Sequence, residues 1–282
     1  MKTKTACAAA IAALTFAVIG TFSPAQAAPS WADADSATIH PGVMTFTEGA
    51  QCTANFVFTD AADNVYIGQA AHCSATGAAT ETNGCDAESL PIGTQVEIDG
   101  ASQPGTMVYN SWLTMQSANE QNADACNYND FALVQLDPAD YDKVNPSIPA
   151  WGGPVGIAGP TAFGDAVYSY GNSSLRLGIS QLSPKTGLSL GTIPSGWSHP
   201  VYTATPGIPG DSGSAFLDKD GNALGVLSTL AILPLTGSNN VSDIGLAINY
   251  MHAHSSVDAD LVPGTEPFEP GLVGLGGLLG AL

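Results

Sequence analysis

Pro209-Gly210-Asp211-Ser212-Gly213-Ser214 places one serine in a tight, glycine-flanked turn. Far upstream, Gly68-Gln69-Ala70-Ala71-His72-Cys73 supplies a histidine. Between the two, Asn129-Asp130-Phe131-Ala132-Leu133-Val134 puts an aspartate at the head of an apolar run that reads as a strand. A serine hydroxyl is a poor nucleophile at neutral pH. It becomes a good one when a histidine takes its proton and a buried carboxylate holds that histidine in the right tautomer. His72, Asp130 and Ser212 are therefore the candidate catalytic residues.

Their order along the chain narrows the fold. Subtilisin-type enzymes run Asp, His, Ser, and α/β-hydrolases run Ser, Asp, His around a Gly-x-Ser-x-Gly elbow that Gly210-Asp211-Ser212-Gly213 does not match. A lone Gly-Asp-Ser-Gly is often only a turn; the two upstream motifs raise it to a site. The remaining histidines, His40, His199, His252 and His254, have no partner motif and read as solvated side chains. The spacing of His252 and His254 on a helix sends them to different faces, which speaks against a metal pair. No Asp-x-Asp-x-Asp-Gly calcium loop is present, so neither a metal nor any other cofactor is expected.

The N-terminus reads as an export signal over residues 1–27. Lys2 and Lys4 precede an apolar stretch from Ala8 to Gly20, and Ala25-Gln26-Ala27 offers a small-x-small cleavage site. Cleavage there removes Cys7 and leaves Cys52, Cys73, Cys85 and Cys126, an even number in a secreted, disulfide-permissive chain, with three pairings open. The basic residues that remain are Lys143, Arg176, Lys185 and Lys219 against 25 acidic ones, a net charge of −21. So acidic a surface repels nucleic-acid phosphates and anionic lipid, which excludes both as partners. A monomer acting on protein or peptide is expected.

Short runs rich in Val, Thr, Tyr and Phe, among them Val65 to Gln69, Gln95 to Ile98, Ala166 to Tyr170 and Ala223 to Leu230, are broken by turn signals such as Asp99-Gly100 and Asp220-Gly221. That spacing predicts an all-β sandwich or barrel. Helix is scarce, with Leu246 to His254 the best candidate. The Pro- and Gly-rich stretch Pro146 to Pro160 reads as a linker between an N-terminal half, 28–148, and a C-terminal half, 149–255. Residues 256–282, rich in Gly, Pro and Leu and without a charge after Glu269, read as a flexible or surface-docked tail.

From Gln51 to His254 the chain resembles the chymotrypsin-like serine proteases, closest to the bacterial streptogrisin and α-lytic type. There a Pro-Gly-Asp-Ser-Gly run is followed by small residues, a strand, a turn and an Ala-Leu-Gly strand, as in Pro209 to Ser214, Asp218 to Gly221 and Ala223-Leu224-Gly225 here. The resemblance implies two Greek-key β-barrels with a short C-terminal helix. It implies that Ser212 is the nucleophile, His72 the general base and Asp130 its orienting carboxylate. It assigns the oxyanion hole to the amides of Gly210 and Ser212, and the support of Asp130 and the substrate-pairing strand to Ser228. It also implies a Cys52–Cys73 bridge, and with it Cys85–Cys126. Relatives of the bacterial branch pair the aspartate before the serine with an internal arginine, which points to Asp211 and Arg176. Pro206 falls at the floor of the specificity pocket, with Ile208, Pro209 and Leu230 around it, which implies cleavage after small or medium apolar residues. The rival reading is a catalytically silent binding module on the same barrels.

Overall fold

The structure is a computed structural model that describes residues 29–77, 82–231 and 237–271, without the side chains of 230 and 231. The expected export signal thus lies outside the described residues. Strands dominate, in two sheets. The first takes in β1 (Met44–Thr47), β2 (Ala50–Thr53), β3 (Val57–Asp60), β4 (Val65–Gln69), β5 (Gln95–Ile98), β6 (Gly105–Asn110) and β7 (Ala132–Gln135). The second is built from β8 (Phe163–Tyr170), β9 (Pro184–Leu190), β10 (Ser198–Thr203), β11 (Ala215–Leu217), β12 (Ala223–Ala231) and β13 (Ser238–Asp243). It closes into a barrel in the order β10-β13-β12-β11-β8-β9. A further strand, β14 (Ala259–Leu261), returns to the first sheet, whose order is β14-β3-β4-β7-β6-β5-β1-β2.

Side-chain alternation explains this arrangement. In β4 and β7, Val65, Ile67, Ala132 and Val134 point into a core enclosed by the first sheet. The residues between them, Tyr66 and Leu133, join Phe131, Trp151, Leu217, Val226 and Met251 in a second core. Successive residues of a strand face opposite ways, so a strand buried on both faces serves two cores at once. That second core draws on both halves of the chain and cements them together. Val167, Val201, Phe216 and Leu227 fill the closed barrel.

Three features depart from the sequence reading. Two helices, α1 (Ser111–Ala118) and α2 (Ala123–Tyr128), stand in the stretch before Asp130. Asn110 and Asn122 cap them by accepting hydrogen bonds from the first-turn amides. The expected C-terminal helix is α3 (Ile244–His254), capped by Asp243. His199 is not solvated: it is fully buried, with Nε2 2.8 Å from Asp243 Oδ2 and Nδ1 2.8 Å from Thr192 Oγ1.

The third departure is the tail. Through Gly271 it is part of the fold: β14 pairs with β3, the Gly264 N–H donates to Pro154 O, and the Gly153 N–H donates to Glu266 O. The Glu269 N–H donates to Trp151 O, while Phe268 packs on Tyr168 with ring centroids 5.4 Å apart. Backbone hydrogen bonds place this segment, which is why its bland composition concealed it. Residues 272–282 lie outside the described residues. No helix among the described residues is long and apolar enough to cross a membrane.

Candidate active site

His72 sits on a short 3-10 turn, Ala71–Ser74, where the chain leaves β4. The following residue, Cys73, is joined to Cys52 of β2, and Cys85 is joined to Cys126 of α2. Asp130 lies between α2 and β7 and is almost wholly buried. Its two carboxylate oxygens grip His72 twice: the backbone N–H donates to Oδ1 at 2.9 Å, and ring Nδ1 lies 2.7 Å from Oδ2. An ionised carboxylate only accepts, so Nδ1 carries the proton and Nε2 is left as the base. Ser228 Oγ of β12 donates to the same Oδ2 at 2.5 Å, and the Asp130 N–H donates to Ser242 Oγ of β13 at 3.2 Å. The aspartate of the first sheet is thus held by two serines of the second barrel.

Burial disfavours charge on both partners, yet their mutual attraction wins. Burial alone would lower His72, but the charge and hydrogen bond of Asp130 hold it above the ordinary histidine value. Burial would likewise raise Asp130; the His72 charge, its hydrogen bond and that of Ser228 bring it below the usual carboxylate range.

The Ser212 turn belongs to the second barrel and is fastened to the first. Thr53 N–H of β2 donates to Ser212 O at 2.8 Å, and Asn55 Nδ2 donates to Gly213 O at 3.1 Å. Gly213 has φ +89°, and a Cβ there would lie 2.5 Å from Thr53 O and 3.0 Å from Ala70 N, two residues before His72. Only glycine lets the turn come this close. The backbone, rather than a direct contact, brings serine and histidine together: among the described residues no hydrogen bond joins the Ser212 hydroxyl to the His72 ring. The N–H groups of Gly210 and Ser212 donate to nothing among the described residues, while neighbouring amides of the turn are all engaged.

No protein-family model and no curated protein matches the sequence. Solved structures do. Thermobifida fusca protease A aligns over 80% of this chain and 99% of its own at 17% identity, with a TM-score of 0.53. Nocardiopsis protease aligns over 79% and 98% at 18% identity and TM-score 0.47, and Cellulomonas bogoriensis chymotrypsin over 79% and 98% at 16% and 0.47. The fold follows from the first of these together with the two sheets described above. The chain has the chymotrypsin double-barrel fold.

Within that fold Asp211 is a fully buried carboxylate under the serine turn. Arg176 Nη2 lies 2.5 Å from its Oδ2, and Lys185 Nζ lies 3.0 Å from the same oxygen. The N–H groups of Ile208 and Ser173 complete its partners at 3.1 and 3.0 Å. Burial pushes Asp211 up, but the Arg176 hydrogen bond and the charge of Lys185 hold it below the usual range. Lys185 is pushed down by burial, opposed by Asp211 and reinforced by Arg176. Sequence reading missed Lys185, although it is one of only four basic residues after residue 27.

Around the expected pocket, Pro206 O accepts from Arg176 Nη2 at 3.3 Å. Asn239 spans the gap between the 206–208 segment and the strand that carries Ser228: its Oδ1 accepts from Gly207 N–H at 2.8 Å, and its Nδ2 reaches Gly207 O at 3.5 Å and Thr229 O at 3.4 Å. The side chain of Leu230 lies outside the described residues. One His/Cys grouping, Cys52, His72 and Cys73, has ligand atoms close together, but its sulfurs form a disulfide and offer no thiolate to a metal.

Proposed function

We propose that this protein is a secreted serine endopeptidase that cleaves after small or medium apolar residues. The observation that carries the reading is the double grip of Asp130 on His72, which leaves Nε2 unprotonated beside a serine turn with two undonated amides. Ser212 Oγ attacks the scissile carbonyl as Nε2 takes its proton. The carbonyl oxygen, now negative, accepts from the Gly210 and Ser212 amides. Nε2 then protonates the leaving amine, and water hydrolyses the acyl-enzyme by the same steps. The missing serine–histidine bond is compatible with this chemistry, because catalytic hydrogen bonds in free enzymes are often long and tighten with substrate.

Three features support the substrate preference. No carboxylate stands at Pro206 to receive a buried lysine or arginine, and burying that charge unpaired is prohibitive. Asn239 ties Gly207 to Thr229 across the space that this reading assigns to the pocket. Ile208 and Pro209 supply apolar surface. The two disulfides and the N-terminal signal motif support an extracellular location. The Arg176–Asp211–Lys185 cluster supports activity without trimming of a new N-terminus, since the buried carboxylate already has its cations.

A fluorophosphonate probe tests the reading. It should label the wild-type secreted protein, and Ser212→Ala should lose both labelling and peptide hydrolysis while folding and export persist. Equal turnover by the two proteins would sink the reading, and a folded wild type that takes no label would favour the silent binding module.

A further inference from the structure

We propose that Ser173, through a single hydrogen bond, sets the Gly210 amide toward the reacting carbonyl; the role rests on the proteolytic reading above. Residues 208–211 form a β-turn closed by the Asp211 N–H donating to Ile208 O at 2.9 Å, with Gly210 at φ +94°. A positive φ at the third residue marks a type II turn, whose central peptide is turned over relative to the all-negative type I. That central peptide is Pro209–Gly210. In a trans peptide the C=O and N–H point opposite ways. Whatever fastens the Pro209 carbonyl on one side therefore aims the Gly210 N–H to the other.

The fastening is the Ser173 hydroxyl, which donates to Pro209 O at 2.6 Å. Among the described residues no other donor reaches that carbonyl. The next two carbonyls of the turn are doubly held: Gly210 O by Thr53 Oγ1 at 2.7 Å and Gln51 Nε2 at 2.9 Å, Asp211 O by the N–H and hydroxyl of Ser214. The peptide that carries the candidate oxyanion donor thus depends on one side chain. Ser173 is itself rigidly placed. It is buried, its N–H donates to Asp211 Oδ1 at 3.0 Å, and its Oγ accepts from Leu175 N–H at 3.2 Å. Because Gly210 tolerates either sign of φ, nothing in its own backbone resists a flip. A flipped peptide presents a carbonyl oxygen to the developing oxyanion instead of an N–H.

Ser173→Ala tests this, with Ser173→Thr as the variant that keeps the hydroxyl. Loss of one oxyanion donor costs ~10²–10³ in rate, so a variant sampling both orientations should lose roughly 10- to 100-fold in kcat with KM nearly unchanged. Affinity for a peptide boronate should fall by the same factor, and Ser173→Thr should recover most of both. A merely structural role would lower Tm and leave kcat per folded molecule intact. If the alanine variant folds poorly, Ser173→Thr against Ser173→Val compares equal shapes with and without the hydroxyl. Thr53→Val, which removes one of the two donors on the Gly210 carbonyl and leaves Gln51 Nε2 in place, should lose much less rate; an equal loss overturns the inference. A crystal structure of Ser173→Ala separates this idea from the proteolytic reading. A Pro209–Gly210 peptide that keeps its orientation refutes the role of Ser173 whether or not the wild type turns over substrate, and a flipped one upholds it.

Discussion

Two cations share one buried carboxylate beneath the serine turn, and that redundancy has a measurable signature. Asp211 Oδ2 takes both Arg176 Nη2 at 2.5 Å and Lys185 Nζ at 3.0 Å. Replacing either cation with methionine removes one charged hydrogen bond, leaves the other, and relieves the repulsion between the two. Each single change should cost no more than the roughly 1.5–3 kcal/mol of a hydrogen bond to a charged group. Replacing both leaves a buried carboxylate with two backbone N–H partners and no counter-charge. Stripping a buried ion of its partners costs about 3–5 kcal/mol by itself. Relief of the repulsion between the two cations brings each single change well under that bound, to about 1 kcal/mol, so the double variant at about 3–5 kcal/mol should exceed the sum of the singles by about 1–3 kcal/mol.

Urea unfolding of the four proteins at pH 7 closes the cycle. A second measurement, stability against pH, checks the cause. In the wild type the folded value of Asp211 lies below its unfolded value, so its contribution is present above the unfolded pKa and is lost as pH falls through the folded one. Without the cations the folded value rises toward the unfolded one, and the acid-side loss shrinks. Additivity within ~0.5 kcal/mol, or the same acid slope in wild type and double variant, would refute the shared-carboxylate argument.

Peptide hydrolysis should be low in acid and rise with pH through a midpoint above the ~6.5 of free histidine, since only unprotonated Nε2 can accept a proton and Asp130 holds His72 upward. Asp130→Asn should move that midpoint down and cost roughly 10⁴ in rate, while an unmoved midpoint would contradict the pairing. The stability that His72 adds is complete below its unfolded value and lost as pH rises through the folded one, a dependence Asp130→Asn should erase. Asn239→Gly should open the pocket and raise the preference for phenylalanine over alanine, at about 0.8 kcal/mol for each added carbon that is buried; a wild type that already prefers arginine or glutamate would refute the pocket assignment.

Sequence made visible what is encoded locally. The three site motifs each occupy a few consecutive residues, and Arg176 stood out as the one arginine in the chain, where the resemblance implies an internal arginine. What stayed hidden is encoded in pairings. Lys185 faces Asp211 only because β9 runs antiparallel to β8, with Lys185 opposite Ser169. His199 finds Asp243 across the β10–β13 register, 44 residues away. The helices before Asp130 lie in an Asn-rich stretch that resembles a loop until Asn110 and Asn122 are recognised as caps. Ser173 carried no signal, since its partner is a backbone carbonyl.

The two halves are fastened reciprocally at the site. The first sheet supplies Asp130, and the second barrel holds it through Ser228 and Ser242. The second barrel supplies the Ser212 turn, and the first sheet holds it through Gln51, Thr53 and Asn55. A slip of one half against the other would break both sets at once, so the site forms only in one relative placement. The C-terminal segment ties that placement from outside: β14 adds to the first sheet at β3, and a few residues on the chain bonds Trp151, Gly153 and Pro154 between the halves. A composition of glycine and proline suits this task, because Gly264 approaches Gly153 so closely that a Cβ would lie 2.1 Å from its carbonyl oxygen. The stretch that looked least informative in the sequence thus fixes the geometry on which the proposed chemistry depends.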